Sequence, residues 1–290
     1  LNSIKAWLTL KAKSLDVLGL IILGTEGLNT TLASQNVEKL DQFVKEVSQF
    51  IEFDEFSIKK SESERAPFRK FVVKLRPEIV SLGKPEFVPS GTHQHLSPEQ
   101  WHEMLEKDVV VVDTRNDYEI EIGTFKNAVD LEMKEFSEFP DKIAQLDSDK
   151  EKPHLIFCTG GIRCEKAIFE MEQQGYKQVY QLDGGILNYM EAFPEGHFEG
   201  ECFVFDSRVS VDQNLKPSSQ YSLCPQCGEV GSVPISCRKC GEVSKLCKSC
   251  LEISKEKPEY ETCSKNCRHH YKLRPDVKGP QQKAFYHFKA

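Results

Sequence analysis

Two groups of cysteines carry spacing that could do chemistry. The first is the run Cys158-Thr159-Gly160-Gly161-Ile162-Arg163-Cys164, set between the apolar triplet Leu155-Ile156-Phe157 and a helix-patterned segment from Glu165 to Gln174. In a strand–loop–helix unit of this kind the strand delivers the cysteine to the sheet's C-terminal edge. The glycines let the backbone curl, and amide N–H groups at the helix N-terminus converge on a bound anion. A thiolate or persulfide at Cys158 is stabilised there, so its thiol should titrate below the free value of roughly 8.5. Arg163 is expected to add positive charge at the rim, suited to a small anionic ligand. Cys164, in the first helical turn, is either a partner that resolves an oxidised Cys158 or a small buried packing residue, the commoner use of a free cysteine. A structural cysteine at a strand end needs neither two glycines nor an arginine after it, which favours catalysis at Cys158. Only four residues separate Cys158 from Arg163, one fewer than in the usual cysteine phosphatase cradle, so a phosphate would be crowded.

The second group is a set of eight thiols: Cys224 with Cys227, Cys237 with Cys240, Cys247 with Cys250, and Cys263 with Cys267. Close pairs followed by glycine, as in Cys224-Pro-Gln-Cys227-Gly and Cys237-Arg-Lys-Cys240-Gly, suit two closed tetrahedral zinc sites of a structural kind, each held by four thiolates. The same pairing argues against disulfides and for a reducing compartment. Spacing alone leaves the pairing open, sequential (first pair with second) or crossed (first with third). With eight thiols present, His269 and His270 are expected to face solvent.

The elements that must position these residues follow from periodicity. Apolar spacing predicts a helix from Ile4 to Leu15 and another over Val37-Leu40-Phe43-Val44-Val47, with strands at Gly19–Leu23, Thr30–Ala33 and Phe71–Leu75. That αββαβ order is a ferredoxin-like, acylphosphatase-like unit whose first strand is expected to be missing from a chain that opens on Leu1. Breakers between Gly83 and Pro98 mark a boundary. Ser97 should cap a helix with Pro98 at its first position. Val109–Val112, Leu155–Phe157 and Val179–Leu182 read as doubly buried strands of a parallel sheet joined by right-handed crossovers. Asp113 and Arg115, after the first of these strands, are expected to brace neighbouring loops, and Gly184-Gly185 to leave backbone room at the same sheet edge.

Beyond Phe205 the chain turns polar and cysteine-rich, and a metal must stand in for a core. The expected division is 1–88, a ferredoxin-like α+β domain; 89–205, an α/β domain; and 206–290, a zinc module with a basic aromatic tail. The net charge is −7, yet residues 201–290 hold 15 Lys/Arg against 10 Asp/Glu. Arg268, Lys272, Arg274 and Lys283, interleaved with Tyr271, Phe285, Tyr286 and Phe288, are candidate RNA contacts, because lysines neutralise phosphates while aromatics stack on unpaired bases. A solvated tail has the same composition. No apolar run approaches the roughly 20 residues that span a bilayer, and no signal-peptide pattern is present, so a cytoplasmic protein is expected. Nothing in the sequence bears on oligomeric state.

The cysteine loop, the run from Asp113 to Glu119 leading to Gly123-Thr124-Phe125, and Leu182-Asp183-Gly184-Gly185-Ile186-Leu187-Asn188-Tyr189 resemble a rhodanese domain. More narrowly, Cys158 to Lys166, the stretch Gly200-Glu201-Cys202-Phe203-Val204-Phe205-Asp206-Ser207-Arg208-Val209, and Glu26-Gly27-Leu28-Asn29 look like the bacterial rhodanese-type tRNA uridine hydroxylases, over nearly the whole chain. That resemblance implies oxygen-dependent hydroxylation at carbon 5 of the wobble uridine in the tRNA anticodon loop. Cys158 aligns with the family's active-site cysteine, proposed to work as a persulfide. Thr30 follows Asn29 where the family usually has a small residue. Molecular oxygen is the co-substrate the resemblance implies, and no flavin, haem or non-haem iron motif in the sequence explains how it would be activated.

Two other readings use the same residues. A plain sulfurtransferase would pass sulfur through a Cys158 persulfide, but needs neither the eight-thiol module nor the basic aromatic tail. A zinc-dependent RNA-binding module with an inactive rhodanese fold would have no use for Cys158 and Arg163 together.

Overall fold

The computed structural model describes residues 1–51, 58–62, 66–88 and 93–279. The chain forms two units, one of residues 1–206 with 211–217 and one of 207–210 with 218–290.

The first unit opens with α1 (Asn2–Ser14), β1 (Leu18–Gly24), β2 (Gly27–Ala33), α2 (Val37–Phe50) and β3 (Phe71–Leu75), the expected element order. β1 is central, antiparallel to β2 and parallel to β3. The alternation along β1 turns Ile21 and Leu23 inward against Leu8, Ala12, Phe43, Val47 and Val73, so one face of the sheet is closed by the two helices. Asn36 caps α2 through its side-chain oxygen, which accepts from the Lys39 N–H at 3.1 Å.

The unit continues through β4 (His95–Leu96), α3 (Pro98–Met104), β5 (Val110–Asp113), α4 (Asp117–Ile120), β6 (Gly123–Phe125), β7 (Val129–Asp130), α5 (Phe139–Ala144), β8 (Pro153–Phe157), α6 (Ile162–Gln173), β9 (Gln178–Leu182), α7 (Gly185–Ala192), β10 (Phe198–Gly200) and β11 (Cys202–Phe203). Five of these strands form a parallel sheet in the order β4-β9-β8-β5-β7. Both faces are covered, which explains the continuous apolar runs. Val112 and Ile156 face a cluster with Ile168 and Met171 of α6, whereas Val111, Leu155 and Phe157 face Trp101 of α3 with Ile186 and Tyr189 of α7. α3 begins as its sequence dictates: Pro98 is its first residue, and Ser97 and Gln100 exchange the two hydrogen bonds of a capping box.

After the short strand β12 (Ser210–Val211), the second unit holds two antiparallel ribbons, β13 (Ser222–Leu223) with β14 (Val230–Gly231) and β15 (Val233–Ser236) with β16 (Val243–Leu246), then α8 (Lys248–Glu256) and α9 (Lys265–Leu273). Its apolar cluster is small, and three of its five buried members are cysteines, Cys224, Cys247 and Cys250, beside Ile235 and Leu246. Among the described residues no helix is long and apolar enough to cross a membrane.

Candidate active site and metal clusters

β8 ends at Phe157 and the chain turns at Cys158. Gly161, the N-cap of α6, takes φ = +96°, a conformation that a side chain would strain. This turn aims the Gly161 N–H at the Cys158 Sγ, 3.0 Å away, and the N–H groups of Gly160 and Arg163 also donate to that sulfur. Cys158 is only 1% exposed, so its sulfur is buried, but the surrounding amides face it. Burial raises the thiol pKa. The Cys164 thiol, the Arg163 charge and the two loop amides outweigh it and bring Cys158 down to about 6. At neutral pH the sulfur is then a thiolate.

A second loop locks the first from beside it. The N–H groups of Ile186 and Leu187, at the start of α7, donate to the carbonyls of Cys158 at 3.0 Å and Thr159 at 3.3 Å. A Cβ on Gly185 would lie 2.5 Å from the Cys158 carbonyl oxygen, so only glycine permits this approach. The expected backbone room at Gly184-Gly185 is thus filled by the Cys158 loop itself.

Arg163 departs from its expected position at the rim. It is folded into the protein, where Nη1 and Nη2 each donate to Glu119 at 2.8 Å, and the Glu119 side chain is fully buried. Helix α6 starts at Ile162, three residues before the apolar pattern suggested, and its first turn turns Arg163 inward. Its charge still acts on Cys158 through space, but its donors are committed to Glu119, on which the Thr159 hydroxyl also converges at 3.5 Å. Cys164 is sealed beneath the loop, 3.7 Å from the Thr114 hydroxyl, with its thiol raised well above the usual value by burial and by Cys158. It therefore stays protonated and is the donor of the Cys158–Cys164 hydrogen bond.

Asp113 and Arg115 meet directly. Arg115 Nε donates to Asp113 Oδ1 at 2.9 Å, Nη2 donates to Asp113 Oδ2 and to the Gly123 carbonyl, both at 2.6 Å, and Thr124 donates to Asp113 at 2.8 Å. Both ionic side chains are fully buried, so this knot ties the β5 end to β6 in a medium where each donor needs its acceptor. Cys202 is also buried, and burial pushes its thiol up to about 12.

The eight remaining thiols gather into two groups, Cys224, Cys227, Cys247 and Cys250, and Cys237, Cys240, Cys263 and Cys267, with the sulfurs of each group within 4.8 Å of one another. The pairing is crossed. Each group joins a knuckle to a helix N-terminus: Gly228 N–H closes the first knuckle on Cys224 O at 2.9 Å and Gly241 N–H the second on Cys237 O at 2.8 Å. Cys247 is the N-cap of α8 with Cys250 in its first turn, while Cys263 and Cys267 flank the Ser264 cap of α9. Helix N-termini favour anions, here thiolates. Sulfur separations of 3.5 to 3.9 Å are close to the edge of about 3.8 Å expected for a tetrahedron of roughly 2.3 Å zinc–sulfur bonds. All eleven cysteines are free thiols, so the donor set fits zinc. His269 and His270 are exposed and outside both groups.

Comparison with known proteins matches residues 1–79 to the UPF0176 acylphosphatase like domain, 97–192 to the Rhodanese-like domain and 199–268 to the Rhodanase C-terminal model. A tRNA uridine(34) hydroxylase of Bdellovibrio bacteriovorus is 45% identical over 94% of this chain and 78% of its own length. Those of Picosynechococcus sp. and Legionella pneumophila are each 44% identical, over 73% and 74% of this chain and 72% and 86% of their own. The chain belongs to the tRNA uridine(34) hydroxylase family.

As a member of the tRNA uridine(34) hydroxylase family, the chain shows a site with members that sequence reasoning missed. Glu119 was legible only as the end of the Asp113–Glu119 run. Lys166, fully buried on α6, pairs with Glu26 at 2.9 Å and Glu78 at 2.7 Å, which gives the Glu26-Gly27-Leu28-Asn29 turn a place against the helix that follows the Cys158 loop. Lys59 donates to the Gly160 carbonyl at 3.4 Å across 101 residues of sequence. Of the candidate RNA contacts, Arg268 lies 4.8 Å over the Tyr260 ring, Lys272 pairs with Glu259 at 3.3 Å and Arg274 is exposed, while Lys283 lies outside the described residues. Surface depressions of about 310 Å3 beside Lys13–Leu18 and about 500 Å3 at the Cys237–Gly241 knuckle contain no residue of the Cys158 loop.

Proposed function

We propose that this protein hydroxylates carbon 5 of the wobble uridine of tRNA with molecular oxygen as co-substrate, and that Cys158 is its catalytic sulfur. The observation that carries this reading is the Cys158 Sγ facing the amides of Gly160, Gly161 and Arg163 at the edge of a parallel sheet, in a chain closely similar to proteins named for this modification. The loop Thr159, Gly160, Gly161, Ile162 and Arg163 holds the sulfur ionised. Cys164 supplies a hydrogen bond to it and is the candidate resolving thiol, and Asp113 with Arg115 braces the loops behind it. The target base must leave its stack to approach a buried sulfur.

Zinc, one ion in each thiol group, would fix the second unit: four thiolates leave no open coordination position, so its role is structural. The anticodon loop is the substrate region, with Arg268, Lys272, Arg274 and Lys283 as its candidate phosphate contacts. The functional divisions are 1–88, 89–205 and 206–290, and the setting of the reaction is the cytoplasm.

The test is genetic. In a bacterium lacking 5-hydroxyuridine in its tRNA, this protein restores that nucleoside and Cys158→Ser does not. Equal restoration by the variant would remove Cys158 from the mechanism, and restoration by neither would leave sulfur transfer as the activity of the loop.

A further inference from the structure

The loop is flanked by an exposed aromatic ring, Phe205, and by a lysine, Lys59, that none of the roles above uses. Phe205 is 54% exposed although it is among the larger apolar side chains of its unit. It is not loose. The Arg163 guanidinium carbon lies 5.7 Å from its ring centroid, and the Phe203 ring meets it edge-on at 4.9 Å and 83°. Phe203 is in turn held edge-on by Tyr118 at 5.3 Å. Arg163 is itself fixed by two hydrogen bonds to Glu119. An aromatic ring that is anchored from below and still more than half exposed is built to receive a second flat partner, and every nucleobase offers a π-face.

Lys59 stands beside the same loop, near Gly160 and Gly184. Among the described residues its single hydrogen bond is the long one to the Gly160 carbonyl, and a Cβ placed on Gly184 would lie 2.8 Å from its Nζ. Its charge faces those of the Cys158 thiolate, Asp183 and Glu191, none of which is in ion-pair contact with it, and desolvation there lowers its pKa. Two donor positions of the ammonium are thus left for an incoming anion. A nucleotide whose base approaches Cys158 brings a phosphodiester to that loop.

We propose that Phe205 and Lys59 form the subsite for the nucleotide to be modified, Phe205 stacking on its base and Lys59 pairing with an adjoining phosphate. This deepens the reading of the protein as a tRNA uridine hydroxylase and rests on it. Position 205 decides that the partner is a flat ring, and Lys59 decides that it is a nucleotide and not a free base. Arg163 then has two duties: it polarises the sulfur and presents the ring.

The test uses the full-length protein with bound zinc and a uridine-bearing anticodon stem-loop RNA. Phe205→Leu is expected to weaken RNA binding and product formation about 10- to 100-fold, with Phe205→Trp recovering most of both. Lys59→Ala is expected to weaken binding and to reduce the slope of log affinity against log salt by about one. In both Phe205 variants the ionisation of Cys158 should keep its wild-type midpoint. Wild-type affinity in Phe205→Leu, failure of Trp to rescue it, or a shifted Cys158 midpoint would overturn the platform, the last because the ring would then act only through Arg163. An unchanged salt slope in Lys59→Ala would overturn the phosphate contact. If the wild-type protein forms no 5-hydroxyuridine at all, the functional reading fails and the subsite with it, a result told apart from the others by the wild-type control.

Discussion

The Arg163 guanidinium and the Glu119 carboxylate form a two-point ion pair inside the protein, each contact 2.8 Å long. Arg163 therefore influences the Cys158 sulfur as a fixed charge and not as a free hand reaching for substrate. Replacing Arg163 by Met should move the Cys158 ionisation upward from about 6 toward the free-thiol value of roughly 8.5. The measurement is the ultraviolet thiolate signal that disappears on Cys158→Ser, followed against pH. A midpoint unmoved by Arg163→Met would show that the Arg163 charge takes no part in setting it.

The same pair carries a stability prediction. Glu119→Ala leaves the Arg163 charge buried with no carboxylate beside it, and breaking such a pair costs about 3–5 kcal/mol. Urea denaturation of the full chain should show a loss of that size. A loss below about 1 kcal/mol, the range of an exposed pair, would contradict the burial described for Glu119.

Cys164 donates its proton toward Cys158 and is itself held in the thiol form. Cys164→Ala removes that donor, so the Cys158 midpoint should rise; Cys164→Ser retains a donor and should raise it less. The sign follows from which form is stabilised: a hydrogen bond to the thiolate lowers the pKa, and its loss raises it. Equal midpoints in the two variants would mean that Cys164 only packs.

The crossed pairing of the thiols is testable by counting metal. The freshly reduced protein should carry about two zinc per chain. The double variant Cys227→Ser with Cys247→Ser touches the first and third cysteine pairs, which share one group, and should retain close to one zinc. Sequential pairing would place those residues in different sites and leave no intact one.

Much of this architecture was legible in the sequence because it is encoded locally. Ser97-Pro98 announces a capped helix, the valine run at 109–112 a strand buried on both faces, and the glycines at 160–161 a curled loop. The zinc ligands were readable as pairs, because a knuckle is a four-residue event. Which pair joins which was not, since that depends on how β15, β16 and α8 fold back. The misplacement of Arg163 has the same origin. Its partner Glu119 lies 44 residues away, and no periodicity links a loop arginine to a carboxylate on another helix. The buried Lys166 with Glu26 and Glu78 was invisible for that reason too: a lysine inside a helix pattern reads as surface until tertiary contacts supply its counter-charges.

The most direct test is the pH titration of Cys158 in the wild-type protein, read as the thiolate signal lost in Cys158→Ser. A sulfur that faces three loop amides should ionise with a midpoint near 6 and be a thiolate at neutral pH. A midpoint at or above the free-thiol value of roughly 8.5 would mean that burial outweighs the amides, and the loop would not hold a ready nucleophile.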